Sequence, residues 1–449
     1  MAKNDLKSAK AYVDQILKAA PDDPDGKYFR GRLYLHDKDF TKASEDLKAV
    51  THAAPRFAPG YYFLAQSQLR LNQLNEARTN VTKATELMPN WDLPHLTLAQ
   101  LHINAGNADL ALDEAEKVLK LQPKSNPALM ISAAARLKKG ETDRAVDLFK
   151  RVVQSNPNNF AARFNLASTY LAKKQYGEAL ANFEEALKLT PDSPEALGAI
   201  ARLQLAQGNP KAAFARIEQA LKGSKNPVRL YNLLGEISLA TRDFTKAIEY
   251  LEKAINLNPE LTSAYYMIGN AYAAQKRFDT AFDQYQKIIK KTPNAIPAYM
   301  MIGTLYDMQK QPAKANDAYQ KVLDIDKNFA PAANNLAWNY AEHGGNIDIA
   351  LTLALKAREA RSDDPAVADT LGWIQFKKKS YPTAVALLKE SSEKFKDGNP
   401  TVLYHLAQAL DKNGDEEAAR QTVKKALALH AEFAELQDAK KLLTSLGGK

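Results

Sequence analysis

One proline recurs along this chain at a fixed interval: Pro21, Pro55, Pro89, Pro123, Pro157 and Pro191 stand 34 residues apart, and Pro259 and Pro293 continue the series. A period of that length excludes one large globular core. Each period is a small supersecondary piece that buries its apolar side only against copies of itself. The copy from Leu261 to Pro293 shows what the piece is. Tyr265, Ile268, Gly269 and Tyr272 sit at i, i+3, i+4 and i+7, one face of a helix. Ala281, Tyr285 and Ile288 follow at i, i+4 and i+7, a second amphipathic helix. The stretch from Gln275 to Asp279 between them is short and polar, as a helix–helix turn should be.

The small residue of the first helix recurs as Gly31, Ala65, Ala99, Ala133, Ala167, Ala201, Gly235, Gly269, Gly303, Ala337, Gly372 and Ala407. An alanine follows each of them twelve residues on, from Ala43 to Ala419; Ala350 is displaced by one, which the extra glycine of Gly344-Gly345 accounts for. Small residues at both places let helices approach closely, a demand of packing and not of chemistry. The pattern resembles the tetratricopeptide repeat, whose period and small-residue, tyrosine, alanine and proline positions it matches. The resemblance implies an all-α fold: a right-handed superhelix, or α-solenoid, of helix–turn–helix repeats.

Residues 1–23 carry only second-helix positions (Ala9, Val13, Ile16) and the closing Pro21, so they read as half a repeat; the chain is expected to be a fragment begun inside a longer array, the alternative being a natural capping helix. Twelve tandem repeats are expected over 24–433, and a capping helix with a frayed tail over 434–449. The repeat 194–227 has Gly198 inside its first helix, Gly208-Asn209-Pro210 at its turn and Gly223-Ser224 near its close. Glycine inside a helix costs about 1 kcal/mol relative to alanine, so the array is expected to be softest over 198–227.

Composition excludes more than it proposes. There is no cysteine, hence no disulfide, thiol catalysis or thiolate metal site. No apolar run is long enough to span a membrane, and Met1 leads into no apolar segment. A net charge of +9 spread over 449 residues is too dilute for nucleic acid, which would need a concentrated basic stripe. The seven histidines, His430 among them, form no i, i+4 pair and no His-Glu-x-x-His motif; His95 and His102 fall in packing positions. No phosphate-cradling loop appears. With no catalytic constellation, cofactor or metal implied, the expected function is non-enzymatic.

Function is then sought on surfaces that packing leaves free. Counting from the start of each repeat, positions 4, 7, 8 and 11 face inward and positions 5 and 9 share the next stripe, which in tetratricopeptide proteins lines the concave groove. Along the array that stripe contains Tyr28, Arg32, Tyr62, Gln66, Asn232, Glu236, Tyr266, Asn270, Met300, Asn334, Trp338, Asp369, Trp373 and Tyr404. Aromatics, methionines and amides with few charges suit a protein or extended peptide, rings anchoring and amides bonding backbone. Trp338 and Trp373 take the same position in consecutive repeats and are expected side by side, either as a binding feature or as packing. The asparagines of a carboxylate clamp are partly present (Asn232, Asn270, Asn334, Asn335), but its lysines are not, and a continuous asparagine ladder is absent. A second surface is a basic ridge at the turns: Lys138, Lys139, Lys173, Lys174, Lys276, Arg277, Lys377, Lys378 and Lys379. It could meet acidic polymer or lipid headgroups, or be ordinary solvated lysines.

The segment Asn334 to Gly345, followed by Asp369 to Trp373 and Tyr404-His405-Leu406, resembles the C-terminal repeats of bacterial envelope tetratricopeptide proteins, including lipoproteins of exosortase and exopolysaccharide-export systems. That resemblance implies a periplasmic assembly role, with a lipoprotein signal upstream. The alternatives are a polysaccharide-associated factor using the ridge, or a cytoplasmic co-chaperone or regulator.

Overall fold

The computed structural model describes residues 3–429 and 432–447, and every regular element in it is an α-helix, twenty-six in all. His430, Met1 and Ala2 of the expected leading half-repeat, and Gly448 and Lys449 of the expected tail lie outside the described residues. The helices gather into two compact units, residues 1–225 and 226–449, so the chain parts just after the glycine-rich close of the repeat 194–227.

Within each unit, consecutive helices pair antiparallel and each pair packs on its neighbours. Several local devices repeat. First helices commonly start with proline in their first turn, where a missing N–H costs nothing, as in Pro194–Ala206, Pro227–Ala240 and Pro365–Lys377. They end in one left-handed residue. Lys38, Asn72, Gly106, Gly140, Lys174, Gly208, Arg242, Lys276, Lys310, Gly344, Lys379 and Gly414 all have positive φ. The residue after each then turns its N–H back to a carbonyl five residues earlier: Arg277 to Tyr272 O at 2.8 Å, Gln311 to Tyr306 O at 2.8 Å. This is the hydrogen-bonded helix stop that a left-handed residue permits. Second helices begin at once, capped in places by aspartate: Asp39 Oδ1 accepts from Lys42 N–H and Asp243 Oδ1 from Lys246 N–H.

Where the first-helix small position is glycine, a larger side chain from the second helix fills it. A Cβ on Gly269 would stand 2.6 Å from Tyr285 Cε1, and one on Gly235 2.5 Å from Leu251 Cγ. The closing proline is pinned through its carbonyl: Pro89 O is 2.9 Å from His95 Nε2, Pro157 O accepts from Arg163 Nε at 2.7 Å, and Pro259 O from Tyr265 OH at 3.3 Å. In the C-terminal unit Ile268, Tyr272, Tyr285 and Ile288 form one continuous apolar cluster with Leu251, Ile302 and Leu305, so hairpins share a core with their neighbours.

Candidate functional site

In the N-terminal unit, the position-5 rings serve packing. Tyr28 is 8% exposed, edge-on to Phe57 and Phe63, and Tyr62 is equally buried with its ring 4.8 Å from Trp91. A ring at position 5 falls between its own helix and the first helix of the next repeat, which closes over it. Arg32 is exposed and lays its guanidinium over Phe63, 4.8 Å from the ring centre, and Gln66 donates to Thr97 Oγ1 at 3.3 Å.

In the C-terminal unit, the stripe is more open. Tyr266, Met300, Asn334 and Trp338 are partly exposed, and Asn270, Thr304 and Glu236 are exposed. Several polar groups on this face are engaged locally. Asn232 Nδ2 donates to Glu236 Oε1 at 2.8 Å, His405 Nδ1 lies 2.9 Å from Asp369 Oδ1, and Lys377 pairs with Glu342 at 2.7 Å. Tyr285 donates to Asn270 Oδ1 at 2.6 Å; burial, helped by the nearby Tyr266, pushes that phenol up to about 12. The amide oxygens of Asn232 and Asn334, both at position 5, are enclosed without a donor.

Trp338 and Trp373 do not meet face to face. The imidazole of His405, from the following repeat, lies against both: ring centres are 5.6 Å apart for Trp338 and 4.2 Å, stacked, for Trp373. Trp373 continues the stack onto Phe376 at 4.7 Å and donates its indole N–H to Glu342. Trp373 is buried, as are His405 (1% exposed) and Tyr404, whose hydroxyl accepts from Gln408 Nε2 at 2.6 Å. Trp338 keeps one side open. It borders a small cleft of about 240 Å³ with Asp307, Lys310, Pro312, Asn339 and His343, where Asp307 accepts from Tyr319 OH at 2.6 Å and Asn339 Nδ2 at 2.8 Å. Burial alone would raise the Glu342 carboxyl, but Lys377 and the Trp373 indole outweigh it and hold it below the ordinary glutamate value. Neither His405 nor Glu342 is among the expected stripe residues, although both fall in the stretches Asn334 to Gly345 and Tyr404-His405-Leu406 that carry the envelope resemblance; one stands one position from the stripe and the other one turn beyond it.

The basic ridge is thinner than its sequence suggests. Lys139, Lys173 and Lys378 each pair with an aspartate of the preceding repeat, Asp109, Asp143 and Asp348, thirty residues back. Lys377 belongs to Glu342, and Arg277 lies over the Tyr272 ring at 4.5 Å. These groups clasp turn to turn or pack; they do not form a free positive strip. Lys138, Lys174, Lys276 and Lys379 remain exposed.

Models of the tetratricopeptide repeat match residues 1–56, 96–160, 132–194, 170–237, 228–261, 260–328 and 375–443. They cover most of the chain, which belongs to the tetratricopeptide repeat family. No curated protein matches it. Among solved structures it is similar to yeast Tom70, at 14% identity over 88% of this chain and 96% of that one, with a TM-score of 0.50. It also resembles a tetratricopeptide repeat protein of Parabacteroides merdae ATCC 43184, at 21% identity over 55% of this chain and 98% of that one, TM-score 0.46. A third is YrrB, described as a tetratricopeptide repeat protein with an unusual peptide-binding site, at 19% identity over 42% of this chain and 96% of that one, TM-score 0.37. These likenesses concern the fold. Among the described residues no helix is long and apolar enough to cross a membrane.

Proposed function

We propose that this chain is a non-enzymatic scaffold that holds an extended peptide or protein segment along the first-helix stripe of its C-terminal unit. Trp338 carries the reading. Its indole is open on one side and backed on the other by the buried, stacked His405–Trp373 pair, so it is a rigid anchor whose ordering cost is already met. Along the stripe the open groups include an amide, a hydroxyl and a thioether (Asn270, Thr304, Met300); of the charges near Trp338, His405 lies against Asp369 and Lys377 pairs with Glu342, while Lys310 stands exposed beside the cleft. Such a surface suits uncharged side chains and backbone amides. The finer part of the proposal, an assembly role in a bacterial envelope or export system, is supported by the resemblance of Asn334–Gly345 and its neighbours alone.

The test is selection of phage-displayed random peptides on the full chain. Peptides so selected should bind Trp338→Ala about tenfold more weakly while Lys290→Ala, on an exposed second-helix face, binds unchanged. Selected peptides that ignore Trp338 would overturn the stripe as the binding surface.

A further inference from the structure

Three partly buried carboxylates belong to the group of side chains around Trp338: Glu342, Asp369 and Asp307. Two of them face a basic group, Glu342 pairing with Lys377 at 2.7 Å and Asp369 lying 2.9 Å from His405 Nδ1. Asp307 has no ion pair among the described residues. Each of its oxygens accepts one neutral donor, Tyr319 OH at 2.6 Å and Asn339 Nδ2 at 2.8 Å. One bond comes from the second helix of its own repeat and the other from the first helix of the next. Together they hold the group in place without neutralising it, and each oxygen keeps a second acceptor site.

We propose that the cleft bordered by Asp307 and Trp338 takes an arginine side chain of the bound peptide, its guanidinium forking onto Asp307 and its flat face lying on the indole. This rests on the stripe as the binding surface, and adds one charged residue to an otherwise uncharged ligand. At about 240 Å³ the cleft is smaller than the roughly 300–1,000 Å³ of small-molecule sites, so it admits a single side chain. It lies towards the carboxyl ends of two helices: Asp307 is in the last turn of Ile296–Met308, and Asn339 in the last turn of Ala330–Glu342. Helix carboxyl ends carry partial negative charge, and so does the face of an aromatic ring. The other basic groups at the cleft are Lys310 and His343, both exposed. Lys310 stands three residues after Asp307 and makes no ion pair with it; its charge offsets the carboxyl end of its own helix. It opposes a cationic guest from solvent, where charge is screened, whereas Asp307 is partly buried and held. Lys314, on the next helix, lies 5.4 Å from the centre of the Tyr306 ring. An acidic guest in this cleft would set its carboxylate against Asp307 and the indole.

The probes are the phage-selected peptides whose binding to the full chain depends on Trp338, synthesised with a fluorescein label and measured by anisotropy. They should share an arginine. Replacing it with citrulline, which keeps the shape and removes the charge, should weaken binding to wild type about tenfold. On Asp307→Asn the same replacement should change binding less than about threefold. Lys310→Gln leaves both bonds of Asp307 intact and should tighten the arginine peptide about twofold or more. Trp338-dependent peptides that lack arginine, or a citrulline form that binds wild type equally well, overturn this proposal and leave the stripe standing. So does a peptide weakened by Lys310→Gln, which would mark the guest as acidic. Peptides that ignore Trp338 overturn the stripe and this proposal together.

Discussion

The ring of Tyr285 rests on the bare Cα of Gly269, so close that a Cβ there would stand 2.6 Å from Cε1, while the phenol reaches past to donate to Asn270 at 2.6 Å. One side chain thus sets both the approach of two helices and the orientation of an amide on the exposed stripe.

Gly269→Ala should destabilise the C-terminal unit. Overpacking costs about 1–3 kcal/mol, against which helix propensity returns at most about 1 kcal/mol. Gly177→Ala is the control, since nothing lies within 4 Å of its added Cβ; it should leave stability unchanged or slightly raised. Urea titration compares the two.

Gly140 has φ +77° with open space around it, so Gly140→Ala tests backbone strain alone. It should lose about 1 kcal/mol or more by the same titration.

Trp373→Ala removes a buried, stacked indole and should cost roughly 3–5 kcal/mol, whereas Trp338→Ala, partly exposed, should cost less than about 2 kcal/mol. Equal losses would mean that both rings are core and that Trp338 is no anchor.

Tyr285 supplies an alkaline prediction. Its phenol is raised in the folded state from 10.0 to about 12, chiefly by burial. A raised folded value means that its contribution is fully present below pH 10 and is lost as pH climbs from there towards 12. Tyr285→Phe should flatten stability across that window. Glu342 runs the other way: its carboxyl is held below the ordinary 4.5. Its contribution is present above that value and lost as pH falls from there through the lower folded value, and Glu342→Gln should blunt the acid loss seen by circular dichroism.

Amide exchange should be faster over 198–227 than over 262–325. The former holds Gly198 in a helix, the left-handed Gly208, and Gly223 just before the chain parts at Lys225 and Asn226. Uniform protection would remove the soft point.

The helix pairing was legible because it is local: positions of period 3.6, a small residue, a turn and a proline suffice to mark each hairpin. What each stripe residue does was less legible, because the next repeat decides it. Tyr28 and Tyr266 share position 5, yet Phe57 and Phe63 enclose the first, and the second stays partly open. The tryptophans share position 9, but spacing does not show that His405 stands between them. Lysine pairs at the turns read as a ridge until Lys139 finds Asp109 and Lys173 finds Asp143, partners thirty residues back. That Lys174, Lys276 and Lys379 of that ridge stand on left-handed backbone was not legible, since φ is not written in the composition.

Within each unit a hairpin leans on the hairpins before and after it and on little else. Length is therefore something this chain can change only in steps. Excising 34 residues from Gly269 to Ile302 brings the glycine of the next repeat, Gly303, to the vacated place with the same faces in register. Excising a dozen would turn an oily stripe out into water and leave the following hairpin nothing to fit against.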